Sequence, residues 1–434
     1  MLPADIIIVG AGACGLMVAR KLSQAGLKVI ILEARDRLGG RIHTLEDASF
    51  PSPLEAGAEF IHGKLPVTMD LLKEAGIHYR ISGGDLWRFT QGQFRQGDDG
   101  MENGELVTKR LHELKEDITV ASFLQKYFPE TEHEGLRNSV KGFVEGYDAA
   151  NINRASAFAL RKEWVDNEEW EQYRVNGGYM HMMRFLEDEC KKNGCLVYPS
   201  SIAKEIKWSS GHVEVTTDNH QRYTGKKIIT TIPLGVLSSD TNAQASIRFS
   251  PSLPDKWEAL KALGFGGVIK ILLLFKHPFW KDHAVTPGKS LKNMGWLFSD
   301  APVPTWWTQV PDDSTVLTGW LAGPKAEQWK DADDSMILDE ALNSLCLFFG
   351  MSREDLNELL SHSEVVNWLA DPFALGAYSY ATPATAAAVK LLGEPVEDTL
   401  FFAGEALYDG PEMGTVEGAL ANGLRVAELV LGNP

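Results

Sequence analysis

The 434-residue sequence has only four cysteines, no excess of basic residues and no long apolar run. Cys14, Cys190, Cys195 and Cys346 are scattered, and only Cys190 and Cys195 are close. No second pair and no His-x-x-x-His completes a zinc site, so no metal is expected. Free, reduced thiols are expected, which suits an intracellular protein. Lys and Arg total 42 against 59 Asp and Glu, a formal net charge of −17. A nucleic-acid partner requires clustered basic residues and is not expected. The acidic balance serves solubility and is compatible with a cationic substrate. Apolar runs such as Ile271 to Phe275 are far too short to span a bilayer, so no membrane association is expected. A first strand near Asp5 leaves no room for a signal peptide, and Gly432-Asn433-Pro434 carries no peroxisomal signal. Cytoplasm is the expected location. Internal repeats, low-complexity segments and flexible linkers are also lacking.

The hydrophobic fraction of 44% and charged fraction of 23% belong to an ordinary globular protein, and the length predicts two domains. Asp5 to Val9 is a β-branched apolar run, as in a strand buried on both faces. Cys14 to Ala25 has helical spacing, Gly26 stops it, and Lys28 to Leu32 is a second apolar strand. Between them Gly10-Ala11-Gly12-Ala13-Cys14-Gly15 forms a GxGxxG turn. Gly10 permits the tight turn, Gly12 lets a pyrophosphate approach, and Gly15 lets helix and strand pack closely. The helix N-terminus offers unpaired N–H groups to phosphates. Glu33 ends the second strand, where a carboxylate accepts from ribose hydroxyls. This unit alone leaves NAD and FAD undistinguished. Arg35 and the turn Leu38-Gly39-Gly40-Arg41 add a guanidinium fork suited to pyrophosphate and favour FAD.

Further strands are predicted at Ala203 to Trp208, His212 to Thr217, Lys227 to Ile232, Val268 to Phe275 and Leu400 to Ala403. Helices are predicted at about Leu65 to Gly76, Lys256 to Leu263, Asp334 to Phe349, Glu354 to Leu360 and Thr415 to Leu431. Asn293 to Leu321 reads as tryptophan-bearing strands. From Asp85 to Phe185 charged helical stretches alternate with aromatics, as at Glu168, Glu169, Trp170 and Tyr173. With no linker, the domains are expected to interleave.

These motifs and several others resemble the flavin-containing amine oxidase family. Glu55-Ala56-Gly57-Ala58-Glu59-Phe60-Ile61-His62-Gly63 is similar to its flavin-proximal segment, in the form found in polyamine and spermine oxidases. Lys270, followed by Pro278-Phe279-Trp280, is similar to its active-site lysine. Trp368, Asp371-Pro372 and Gly376-Ala377-Tyr378-Ser379-Tyr380 resemble its aromatic-cage region. Phe402-Ala403-Gly404-Glu405 and Gly414-Thr415-Val416-Glu417-Gly418 resemble its C-terminal FAD signature. The resemblance implies an α/β architecture: a Rossmann-type FAD-binding domain (residues 1–83, 190–255 and 381–434) interleaved with an α+β substrate-binding domain (84–189 and 256–380). It implies cofactor contacts at Gly10, Gly12, Gly15, Glu33, Arg35, Gly40, Arg41, Gly57, Ala58, Glu59, Phe60, Ala203, Trp368, Gly404, Glu405, Thr415 and Val416. Ala377 stands where monoamine oxidases carry their linking cysteine, so FAD is expected to be non-covalent. Lys270, Tyr378, His62 and Thr415 are the implied catalytic set.

The expected reaction takes a hydride from the carbon beside an amine nitrogen. The imine hydrolyses to an aldehyde or ketone, and oxygen is reduced to hydrogen peroxide. In Val268-Ile269-Lys270-Ile271-Leu272 both alternating faces are apolar, so the ammonium needs water, a partner or a lowered pKa. The resemblance implies that Lys270 holds a water against the flavin. Thr415 and Phe60-Ile61-His62-Gly63 favour a polyamine or related alkylamine. The lysine-specific demethylases share Thr415, but the sequence lacks their partner-binding insertion and extra domain. The rivals are an aromatic monoamine and an L-amino acid, the latter with Arg88, Arg154, Arg161 or Arg174 for its carboxylate. A remoter alternative is a non-catalytic flavin-fold binding protein.

Overall fold

The computed structural model describes residues 4–46, 48–97, 104–165, 171–239, 243–282 and 291–432. Glu168, Glu169 and Trp170 lie outside them. An eight-stranded sheet is built on Ala4–Val9, paired in parallel with Val29–Leu32 on one side and Arg222–Thr230 on the other. Leu196–Tyr198 extends it beyond Val29–Leu32. The end of Arg222–Thr230 pairs in parallel with Leu400–Phe402, while its beginning turns antiparallel to His212–Thr217. Strands from both ends of the chain thus meet in one sheet.

Side-chain alternation explains the burial. Ile6, Ile8, Val29 and Ile31 face one core with Leu16 and Leu420, from the helices Ala13–Gln24 and Val416–Val430. Ile7, Val9, Ile30 and Leu32 face another, with Leu260 and Leu392 from Pro254–Ala262 and Thr385–Gly393. Helices on both faces of a parallel sheet make this a doubly wound α/β unit. The helix Val416–Val430 lies close on Ala13–Gln24: a Cβ at Gly423 would stand 2.9 Å from the Cys14 carbonyl oxygen.

A seven-stranded sheet runs in the order Leu360–Asn367, Val268–Phe275, Val316–Ala322, Thr305–Thr308, Met294–Ser299, Asp85–Thr90 and Gln93–Gln96. Ile269, Ile271 and Leu273 pack against Ile337, Leu342 and Leu345 of the helix Asp334–Phe349. Lys270 therefore points to the opposite face, beside Val268. A one-residue slip would place the ammonium in that apolar layer, so the pattern itself fixes the register.

The structure differs from the sequence reading in four places. Gln172–Val175, which carries Tyr173, is a strand paired with Ile61–His62 and Tyr79–Ile81, not part of a helical stretch. Asp85–Thr90 and Gln93–Gln96 are a hairpin, not helix, turning at Gln91 (φ 52°) and Gly92 (φ 74°). Leu360 begins a half-exposed edge strand rather than ending a helix. The helix Thr385–Gly393 was not anticipated. Gly104 to Val165 forms four α-helices around their own core of Val107, Phe123, Val140 and Leu160.

Candidate active site

One cavity of about 2180 Å³ carries both the glycine turn and Lys270 on its wall. At the turn, Gly10 has φ +107°, and a Cβ on Gly15 would stand 2.0 Å from the Gly10 carbonyl oxygen. Gly12 caps the following helix without any side-chain hydrogen bond, leaving its first N–H groups for a ligand. Gly40 lies against Gly12, with a Cβ there 3.5 Å from the Gly12 Cα. The Ala11 and Arg35 amides donate to Glu33, at 2.7 and 2.9 Å. Its buried carboxylate is thereby held at the cavity wall.

The other residues read as cofactor-binding are placed as follows. Arg35 forks onto Asp371 at 2.6 and 2.8 Å, with Trp368 and Phe373 beside its guanidinium. Arg41 donates to Ala377 O at 2.6 Å and to Glu405 at 2.8 Å, and Ser379 Oγ donates to the same Glu405 carboxylate. Trp368 Nε1 donates to Ala56 O, and the Gly404 amide to Asn422. Ala58 donates its amide to Arg41 O, and a Cβ on Gly57 would meet that oxygen at 1.9 Å. Ala203 begins a strand at the cavity wall, and Val416 begins the last helix there. Thr415 is that helix's N-cap: its hydroxyl accepts from the Gly418 amide and donates to Glu412 O.

Lys270 is 1% exposed, so its ammonium does not reach bulk water. Nζ donates to Glu59 at 2.5 Å and to Gly57 O at 3.3 Å, and lies 5.4 Å from the Trp307 ring. Glu59 also accepts from Arg174 Nε at 3.0 Å and Trp307 Nε1 at 3.1 Å. Burial alone would raise the Glu59 carboxyl, yet Lys270 and Arg174 hold it below the ordinary carboxylate value.

Tyr378 donates its hydroxyl to Tyr147 O at 2.6 Å, and Tyr147 OH lies 3.0 Å from His62 Nδ1. Burial lowers His62 to about 4, so the ring is neutral at physiological pH. Phe143 stacks on Tyr147, and Phe60, Trp296 and Trp307 form a second ring cluster. Asp148 and Glu163 stand on the same cavity wall, near enough that each acts on the other's proton. Burial pushes both carboxyls up, Asp148 well above its usual range and Glu163 to about 7.

Sequence reading missed Tyr147, Asp148 and Glu163, which come from the patternless helical segment, and left the tryptophans unassigned. The tryptophan run was the available signal for Trp307. Of the four arginines weighed for a substrate carboxylate, three have other partners. Arg174 donates to Glu59, Thr308 O and Val310 O. Arg154 donates to Lys261 O and Leu263 O, and Arg161 to Leu114 O. Arg88 is exposed and lines the cavity.

The model of the flavin-containing amine oxidoreductases matches residues 13–98 and 84–431. The chain belongs to this family. FAD is accordingly its cofactor, and the glycine turn, the open helix N-terminus and Glu33 fit a dinucleotide. Relatives include polyamine oxidase 2 of Arabidopsis thaliana, 30% identical over 98% of this chain and 87% of that protein. Lysine-specific histone demethylase 1 homolog 3 of the same plant is 26% identical over 98% of this chain. The chain spans 30% to 57% of the length of the histone demethylases among its relatives. Putrescine oxidase bound to putrescine shares the fold, with a TM-score of 0.79 and 20% identity over 99% of both chains. So does cyclohexylamine oxidase from Brevibacterium oxydans IH-35A, with a TM-score of 0.80 and 21% identity over 99% of both.

For this family member, acid precipitation will release the yellow cofactor into the supernatant. Ala377 offers no thiol, and the cavity-wall Cys14 is a poor nucleophile because burial pushes it up to about 12. Flavin retained in the pellet would refute a non-covalent cofactor.

Proposed function

We propose that this chain oxidises a diamine or polyamine at the carbon beside one nitrogen, using oxygen and forming hydrogen peroxide. The carrying observation is a single cavity holding Lys270 and Tyr378 together with the half-buried carboxyl pair Asp148 and Glu163. When bound, FAD supplies the two-electron oxidation of the amine, with oxygen as final acceptor. Water then hydrolyses the imine to a carbonyl compound, releasing ammonia where a primary amine was oxidised and a shorter amine where a secondary one was. The ring faces of Tyr378 and the tryptophans take the alkyl chain and exclude water from the reacting carbon. Neutral His62, beside Tyr147, adds no repulsion against a cationic amine. Asp148 and Glu163, once ionised, attract the ammonium at the far end of the substrate.

Two protonation states set the pH dependence. The reacting nitrogen must lose its proton, and the acid pair must lose one too, near pH 7 for Glu163. Both changes run the same way. We expect kcat/KM to rise between pH 6 and 9; a flat profile contradicts this assignment.

A peroxide-coupled screen of polyamines, equal-length monoamines, L-amino acids and methyl-lysine peptides tests the substrate class. Diamines and polyamines should be preferred over monoamines of the same length. Losing a charged hydrogen bond costs about 1.5–3 kcal/mol, so Asp148→Asn with Glu163→Gln should raise the diamine KM roughly 10- to 100-fold. The monoamine KM should hold. Equal loss on both substrates removes the pair from recognition. The methyl-lysine arm is included because the relatives include histone demethylases.

A further inference from the structure

We propose that Glu59 is a positioning residue: its carboxylate holds the Lys270 side chain at the cavity wall and supplies the counter-charge that keeps it an ammonium. The inference rests on the flavin-dependent reading above. It starts from a surplus of charge. Two buried cations, Lys270 and Arg174, share one buried carboxylate, and all three are within 7% of complete burial.

A buried ion pair is weak evidence for stability, because desolvation offsets most of the attraction. This arrangement is moreover built for placement. One Glu59 oxygen takes Lys270 and the other takes both Arg174 and Trp307, so the carboxylate cannot swing. The segment carrying it is fixed as well, since Ala58 donates to Arg41 O and Ala56 O accepts from Trp368. Lys270 has three donors. Glu59 and Gly57 O take two, leaving one for a water or ligand in the cavity.

Other groups near the ammonium do not supply its counter-charge. Opposite Lys270 on the two flanking strands stand Trp320 and Val366, both uncharged. Glu55 is the remaining carboxyl that Lys270 acts on, and burial pushes it up to about 7. Its oxygens are already taken by the Tyr179 amide and the Thr44 hydroxyl. Without Glu59, two buried cations would be left with no carboxylate between them, the costly case of a buried pair that has lost one partner.

The test uses the FAD-loaded protein and no amine. Wild type, Glu59→Gln, Glu59→Asp and the double variant Glu59→Gln/Lys270→Met are reduced with dithionite and mixed with oxygen from pH 6 to 9. The midpoint potential of the bound flavin is measured on the same samples. In Glu59→Gln the oxygen reaction should fall about tenfold relative to wild type across this range, with the potential drifting alongside, as one lost proton near the site requires. The double variant should lose that extra pH dependence while any part due to Glu55 persists. If Glu59→Gln does not fold, Glu59→Asp decides: its carboxylate is one methylene short, so a smaller change of the same sign is expected. A Glu59 variant that parallels wild type at every pH overturns the proposal, as does a double variant that keeps the extra dependence. Because no amine is present, these results are independent of the substrate assignment. A protein that takes up no flavin would instead sink the flavin-dependent reading.

Discussion

Replacing Lys270 by Met will slow the reaction of the reduced protein with oxygen by roughly 100- to 1000-fold, the range seen when one preorganised charge-stabilising donor is lost. FAD content will change little. Negative charge builds on oxygen as it takes up electrons, and a nearby fixed cation stabilises it without reorganisation. With Glu59 ionised, the triad carries one net positive charge; without Lys270 that falls to zero. Glu59 is not orphaned by the change, since Arg174 and Trp307 still donate to it. The stability loss should therefore fall below the 3–5 kcal/mol typical of a broken buried pair. Met also fits a site whose neighbours on that face include Val268 and Trp320. Stopped-flow reoxidation and a flavin-to-protein absorbance ratio separate the two effects. Unchanged reoxidation would show that Lys270 is structural only. A colourless variant would make it a cofactor-binding residue.

The sheet that holds the nucleotide turn was legible because strands buried on both faces announce themselves as continuous β-branched runs. Asp5 to Val9 and Lys28 to Leu32 are such runs, and the structure places strands there. The family motifs carried the remainder of that region. What was not legible has a common cause. Asp148 and Glu163 lie on and beside helices whose apolar positions serve a local core, so nothing in their spacing marks the side facing the cavity. The Leu360–Asn367 strand is half-exposed along its length, which blurs its alternation. Glu59 was readable as part of a flavin-proximal motif. Its pairing with Lys270, 211 residues away, required tertiary structure. An apolar strand containing one lysine does predict that water, a partner or a lowered pKa accommodates it, because the cost of a lone buried charge is prohibitive. It cannot say which residue that partner is.

Adding a single methyl group at Gly15 should abolish FAD binding. The Cβ of Gly15→Ala would stand 2.0 Å from the Gly10 carbonyl oxygen and 2.9 Å from Thr231 Oγ1. The first contact is with backbone, so no rotamer change relieves it. Either the helix Ala13–Gln24 moves away from the strand Ala4–Val9, or the turn between them opens. Its outward face is closed to the first route, because Gly423 of the last helix already lies against Cys14. The turn must therefore distort, and it is the element whose N–H groups face the cavity. Overpacking of this kind costs about 1–3 kcal/mol in a plastic core and more where backbone meets backbone. A shift of the turn by about 1 Å also breaks several phosphate contacts together, so affinity for FAD should fall at least about 100-fold. The variant should be purified colourless, remain folded by far-ultraviolet circular dichroism, and regain little flavin at micromolar FAD. Gly26→Ala is the control, since no atom lies within 4 Å of its added Cβ. Its positive φ of 87° makes it a test of backbone strain alone. If Gly15→Ala binds FAD as tightly as the control does, the close approach of helix to turn is not what forms the nucleotide site.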